Sequence, residues 1–384
     1  MTSTTAYLCS RVFDGEKIHA NAALLVEDGK VAGLLSADKV PVGVETVDLG
    51  DGILAPGLID LQVNGGGGLM LGDAETVDDI ERICAAHVSL GTTALTPTLI
   101  TDTPDVTRKV VDLAIAAWSR GVKGFHGLHL EGPHLFAGRK GAHDPNLIRP
   151  LNREDMALYL RAARELPSLI MTVAPETVPP EQMRELADAG IHVSLGHSGA
   201  TYRQCKTAAE AGASMVTHLF NAMSPLQHRE PGLVGAALDL GALNVGIIAD
   251  GVHVDPVAMR VALKSKTGPG RIFIVTDAMS QTGTDVTSFF LGGREIFRRD
   301  GTLTLEDGTL AGADIDLPAS LRFLTGTLEL PVEAALAMAT SDPADVLGRP
   351  LGRFEEGYPA DFVQLGNAYE VEGVWIAGEQ FSNT

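Results

Sequence analysis

The stretch IDLQVNGGGGLM, Ile59 to Met70, is where the reading of the fold turns. Four glycines directly after an apolar run could form a phosphate-cradling turn and mark a nucleotide-binding protein. A dinucleotide fingerprint needs G-x-G-x-x-G opening a helix, and a P-loop needs G-x-x-x-x-G-K-[ST]. Gly65 to Gly68, with Gly72 beyond, satisfy neither spacing, and no lysine follows. The glycines therefore read as a turn that needs positive φ or close backbone approach. The apolar run before them reads as the first strand of a series, which leaves Gln62 and Asn64 at its end to be explained.

Outward from that strand the pattern repeats. Between Ile53 and Asp277 the apolar runs LIDLQVN, TTALTPTLI, GFHGLHLEG, SLIMTVAPE, IHVSLGHS, ASMVTHLFN, NVGIIADGVHV and RIFIVTDAM alternate with helical segments. TVDDIERICAAHVSLG carries acids in its first turn and Gly91 at its end, with Ile80, Ile83 and Cys84 on one face. Thr201 caps the next clear helix, and Pro180 opens another at a first-turn position. Eight strands alternating with helices predict an α/β fold, a (β/α)8 TIM-like barrel. A doubly wound open sheet is the competing architecture, but eight repeats favour closure. Residues 6–54 read as short strands, with a hairpin turning on Asp28-Gly29. A second hairpin-rich excursion follows residue 284, and the C-terminal segment returns to strands. The predicted organisation is a small β-sandwich domain built from both termini, residues 1–54 and 348–384, flanking a catalytic barrel at 55–347.

Composition narrows the function. The formal charge of −20 argues against nucleic acid, whose binding needs a basic face. An anionic substrate must therefore be caught by a few local cations. No apolar run reaches the roughly 18 residues of a membrane span. The N-terminus lacks a basic region followed by an apolar stretch, and three cysteines stand at unrelated spacings. Both features suit a cytoplasmic protein without disulfides.

In a barrel of this kind, active sites lie at the C-terminal ends of the strands. Glu131 ends the third strand, His197 the fifth, His218 the sixth and Asp277 the eighth, with His253 just past the seventh. Singly, each has an ordinary structural reading: a hydrogen-bonded histidine, a helix cap, a turn. Together at one mouth they form a ligand constellation, because buried charges need partners and a divalent cation supplies one. Glu131, His197 and His218 suit one zinc or iron ion with a position left for water. Such an ion lowers the pKa of water to roughly 7, and Asp277 would serve as general acid and base. The chemistry predicted is metal-assisted hydrolysis, most simply of an amide.

The words HLEGPHL, KGAHD, SLGHS, THLFNAM, REPGLVGAALD, ADGVHVD and VTDAM resemble the N-acetylglucosamine-6-phosphate deacetylase family of the amidohydrolase superfamily. The likeness spans nearly the whole chain, from APGLID to GYPADFV, and THLFNAM followed by REPG is its most specific part. It implies that Glu131, His197 and His218 hold the metal, that Asp277 is the acid/base, and that His143 polarises the acetamido carbonyl. It implies further that Asn221 and Ala222 meet the sugar phosphate. Arg229 and His253 would contact the phosphate, Arg229 reaching in from the partner subunit of a homodimer. Leu310 would contact the sugar through its backbone. Many amidohydrolases carry His-x-His at the first strand end and bind a second metal ion. Here Gln62-Val63-Asn64 stands in that place, and neutral amides cannot supply imidazole nitrogen. The expectation is a single divalent ion, zinc before iron, with Gln62 and Asn64 hydrogen-bonding at the site. His129 reads as a barrel-interior histidine, and His134 as less a pocket residue than a structural one. Two alternatives remain at this level: an amidohydrolase acting on another N-acylated or cyclic amide, and a non-catalytic sugar-phosphate-binding protein.

Overall fold

The computed structural model describes residues 4–291, 293–299, 301–308 and 310–382. Eight parallel strands succeed one another around one sheet in strict chain order. They are β1 (Leu58–Val63), β2 (Thr92–Ile100), β3 (Leu128–Glu131), β4 (Leu169–Val173), β5 (His192–Leu195), β6 (Met215–Val216), β7 (Asn244–Ile248) and β8 (Ile272–Val275). A doubly wound sheet would reverse direction at a switch point, and this order never does. The ring closes where β1 meets the segment after β8. Val63 bridges Ala278 in parallel, the Asp277 N–H donates to Gln62 O at 3.0 Å, and the Asn64 N–H donates to Ala278 O at 2.8 Å.

The helices between strands follow from their own residues. Thr76 and Asp79 form a reciprocal capping box ahead of the helix Val77–Val88, as Thr201 and Gln204 do ahead of Tyr202–Glu210. Pro180 opens the helix Pro180–Asp188, where its missing N–H costs nothing. Ile80, Ile83 and Cys84 are fully buried against the barrel. Burying an isoleucine side chain contributes roughly 1.5–3 kcal/mol, so this apolar stripe holds the helix where isolated propensity would not.

Both chain ends enter one eight-stranded sheet, in which Ile53–Pro56 pairs antiparallel with Phe362–Leu365. Asp28 and Gly29 both take positive φ, 50° and 73°, in the predicted hairpin turn. This sheet has an apolar core of its own around Tyr7, Leu24, Phe362 and Trp375. The excursion after β8 is a four-stranded antiparallel sheet, Ser288–Leu291, Arg294–Arg299, Thr302–Thr304 and Leu310–Ala313. It packs Leu291, Ile296, Leu303 and Ala311 onto Met70 and Met279, over the C-terminal mouth of the barrel. Among the described residues no helix is long and apolar enough to cross a membrane.

Candidate active site

Glu131 is the last residue of β3, and His197, His218 and Asp277 each stand two positions beyond the ends of β5, β6 and β8. All three of these later residues take positive φ, 46°, 28° and 54°. A non-glycine residue in that region stores about 1–3 kcal/mol of strain and persists only where its surroundings over-determine it. Here the kink ends each strand early and turns a polar side chain onto the barrel axis.

The result is a tight triangle. Glu131 Oε1 lies 3.1 Å from His197 Nε2 and 3.0 Å from His218 Nε2, and the two nitrogens are 3.0 Å apart. His197 Nδ1 donates to Arg139 O at 2.9 Å, which leaves Nε2 as a lone pair facing the other two atoms. Lone pairs facing each other in a buried site repel unless a cation sits between them. Ligand atoms on one tetrahedral ion with bonds of ~2.0–2.1 Å stand ~3.3 Å apart, so this donor set fits a single divalent ion. Glu131, His143 and His197 also bring ligand atoms within 4.8 Å of one another. His143, however, receives the Thr101 backbone N–H at Nδ1, 3.2 Å away, with the Thr101 hydroxyl at 2.8 Å from the same atom. Its other nitrogen, Nε2, therefore carries the proton and is a donor rather than a ligand. Burial and the neighbouring His197 push His143 down to about 3, so the ring is neutral near pH 7.

Electrostatics separate the two carboxylates. Burial pushes Glu131 up, but the adjacent His197 and His218 imidazoles hold it well below the usual carboxylate range. His218 is raised because Glu131 outweighs its own burial. Asp277 is raised by burial and by the charge of Glu131. Its Oδ1 accepts from Gln62 Nε2 at 2.9 Å and Asn64 Nδ2 at 2.7 Å, and among the described residues no hydrogen bond falls on Oδ2.

A cavity of about 180 Å³ gathers Glu131, His143, His197, His218 and Asp277 with Asn64, Asn221, Ala222, His253 and Leu310. His253 is held by Asp250, 2.6 Å from its Nδ1. Gln62 is placed beneath the wall rather than on it, 2 % exposed, and reaches Glu131 as well as Asp277. Arg229 is exposed in the loop after β6 and lines no part of this cavity. His129 is interior, donating from Nδ1 to Leu61 O and accepting the Thr172 hydroxyl at Nε2. His134 is engaged with Arg149 O and the Tyr159 hydroxyl, away from the cavity.

Three supports escaped the sequence reading. Thr101, which fixes the His143 tautomer, directly follows β2 and so occupies the kind of strand-end position that singled out the other residues. Asp250, three residues before His253, lay in plain view within ADGVHVD. Met279 packs against the sheet over the barrel mouth and also lines the cavity.

The amidohydrolase family model matches residues 53–381. An N-acetylgalactosamine-6-phosphate deacetylase of Shewanella sp. (strain ANA-3) is 40% identical over 373 residues, 96% of this chain and 94% of that protein. An N-acetylglucosamine-6-phosphate deacetylase of Haemophilus influenzae is 33% identical, covering 94% of this chain and 95% of its own. The crystal structure of N-acetylglucosamine-6-phosphate deacetylase from Pasteurella multocida superposes with a TM-score of 0.94 at 33% identity, over 99% of this chain and 100% of that one. Matched along the barrel and into the C-terminal strands, the chain belongs to the amidohydrolase family.

Proposed function

We propose that this chain hydrolyses N-acetylglucosamine-6-phosphate to glucosamine-6-phosphate and acetate, as the names of its relatives suggest. The observation that carries the reading is the meeting, in one cavity, of a single-ion donor set, a proton-exchanging carboxylate and a neutral imidazole donor. Held by Glu131, His197 and His218, one divalent ion, zinc before iron, supplies Lewis acidity to water and to the amide carbonyl. The amides of Gln62 and Asn64 are spent on Asp277, which supports one ion per subunit.

The chain's own residues do the rest. Asp277 takes the proton of the attacking water on Oδ2 and returns it to the departing amine. Its raised proton affinity suits both halves of that cycle. His143 donates from Nε2–H to the acetamido oxygen as charge develops there. Asn221, Ala222 and His253 receive the phosphate end, and Leu310 borders the sugar at the rim. Arg229, exposed and remote from its own cavity, completes the phosphate site of the partner in a homodimer. An arginine fork there answers the need of an acidic protein to grip an anionic sugar. Residues 55–347 form the catalytic unit in this reading, with 1–54 and 348–384 as its β-rich support, and three buried free cysteines suit a cytoplasmic enzyme.

A second reading rests on the 40% identical relative, which is named for N-acetylgalactosamine-6-phosphate. The two sugars differ only in configuration at C4. Amine release should be followed with both phosphorylated epimers and with unphosphorylated N-acetylglucosamine. A kcat/KM at least tenfold higher for the gluco epimer supports the first reading, and the reverse order supports the second. Equal rates with and without phosphate would remove the phosphate site. No turnover of any of the three by metal-loaded protein would overturn both readings.

A further inference from the structure

The active-site cavity does not end at His143. Behind it lies a second chamber of about 480 Å³, and the two share Asn64, Ile100, Ala142, His143 and Leu291 as common wall. None of the phosphate-end residues Asn221, Ala222 and His253 borders the second chamber. A scissile amide has two substituents, and they leave it in different directions. With the sugar phosphate drawn toward Asn221 and His253, the acyl substituent points toward Asn64, Ile100 and the shared wall. Beyond that wall the lining is mixed, and Met70, Leu99, Pro145, Leu147 and Phe290 give it an apolar side beside Thr98 and Thr101. Its charged groups are of both signs, Lys140 and Arg294 against Asp73, Asp102 and Asp144, so no net field selects an ionic ligand. Arg294 donates to Ala142 O at 2.6 Å and so ties the lid sheet to the loop that carries His143.

We infer that the chamber is an acyl-chain subsite, and that the enzyme removes unbranched N-acyl groups longer than acetyl, propionyl and butyryl among them, from the same sugar phosphate. This rests on the deacetylase reading above. The bond changes are those of acetyl hydrolysis. Water oxygen bonds to the acyl carbon, the C–N bond breaks, both water protons end on the amine, which leaves as an ammonium, and the acyl group departs as a carboxylate. Moving each added methylene from water onto an apolar wall is worth about fourfold in affinity.

The test is a series of N-acetyl, N-propionyl and N-butyryl glucosamine-6-phosphate with the metal-loaded protein, run on wild type and on Leu147→Trp. Leu147 lines the second chamber and not the first, and tryptophan there narrows it. Expected for wild type is a kcat/KM for the longer chains within about tenfold of acetyl. Expected for the variant is unchanged acetyl turnover and a butyryl-to-acetyl ratio lowered at least tenfold. Good acetyl turnover with propionyl and butyryl below a hundredth of it overturns the inference and leaves the deacetylase reading intact. An unchanged ratio in Leu147→Trp overturns the placement. Absent acetyl turnover in wild type sinks the deacetylase reading and this inference with it. If Leu147→Trp does not fold, the wild-type series alone still decides.

Discussion

Asp277 keeps one carboxylate oxygen for chemistry because the amides of Gln62 and Asn64 occupy the other. Replacing it with asparagine preserves the shape and the acceptor those amides need, so the fold should hold while proton exchange is lost. Asp277→Asn is expected to lower kcat roughly 10²–10⁴-fold and to leave the affinity for the sugar phosphate within a few-fold. Steady-state kinetics and calorimetric titration on the same preparation check this. Unaltered kcat would remove Asp277 from the mechanism, and a non-catalytic binding protein should be indifferent to the change. At this scale the sequence was informative where chemistry-bearing residues interrupt apolar runs. Glu131, His197, His218 and Asp277 stand out for that reason, and the structure brings all four to one cavity. The hydrogen bonds that set their protonation were not visible. Thr101 and His143 are 42 positions apart, and Asp60 and Thr276 are 216 apart. No local pattern encodes such a pairing, which exists only once the barrel has closed.

The same limit explains where elements end. ASMVTHLFN reads as one strand, yet β6 stops at Val216, because His218, Phe220 and Ala222 all take positive φ. Apolar content continues the pattern while the backbone has already turned to present His218. Strand closure itself depends on Asp60 in β1. Its carboxylate accepts the Thr276 hydroxyl at 2.5 Å, the Thr276 N–H at 3.2 Å and the Gln62 N–H at 3.2 Å, pinning β1 to the chain that leads into Asp277. Asp60→Ala would leave those buried donors unpaired, at about 1–3 kcal/mol for each one that finds no substitute. We expect thermal unfolding to shift down by roughly 4–10 °C and kcat to fall as Asp277 loses its register. Burial pushes Asp60 up to about 7, so the neutral side chain is already accessible to the native protein. Asp60→Asn should accordingly lose less than half of what alanine loses. Calorimetry of the three proteins at one pH settles it, and an unshifted transition for Asp60→Ala would mean that the seam is held elsewhere.

At the scale of the whole molecule, the count and order of the strands were legible because each barrel unit repeats a strand and a helix. The pairing of Ile53–Pro56 with Phe362–Leu365 was legible only as two β-rich ends. What the sequence conceals here is how many histidines the closed fold buries. His87 donates to the carbonyl of Gly65 at 2.9 Å, which answers part of what the glycine run is for: its backbone is held from below. Adding a Cβ at Gly66 would bring it 2.9 Å from the same imidazole. Burial pushes His87, His129 and His134 each down to about 4. Unfolded, each titrates near ~6.5. Between those values the unfolded chain binds protons that the native chain refuses. The stability these histidines contribute is therefore complete above pH ~6.5 and is lost as the pH falls toward 4. Each shift corresponds to about 3 kcal/mol, comparable together with the ~5–15 kcal/mol that holds a typical protein folded. Asp60 works the other way, since a carboxyl raised in the native state favours folding as pH falls. His87→Gln isolates one of the three, because a glutamine amide can still donate to Gly65 without titrating. Denaturant unfolding at several pH values from 7.5 to 4.5 should show wild type losing stability more steeply than the variant by one proton, about 1.4 kcal/mol per pH unit. Parallel losses in the two proteins would mean that the acid sensitivity of this fold has another source than the imidazole under the glycine turn.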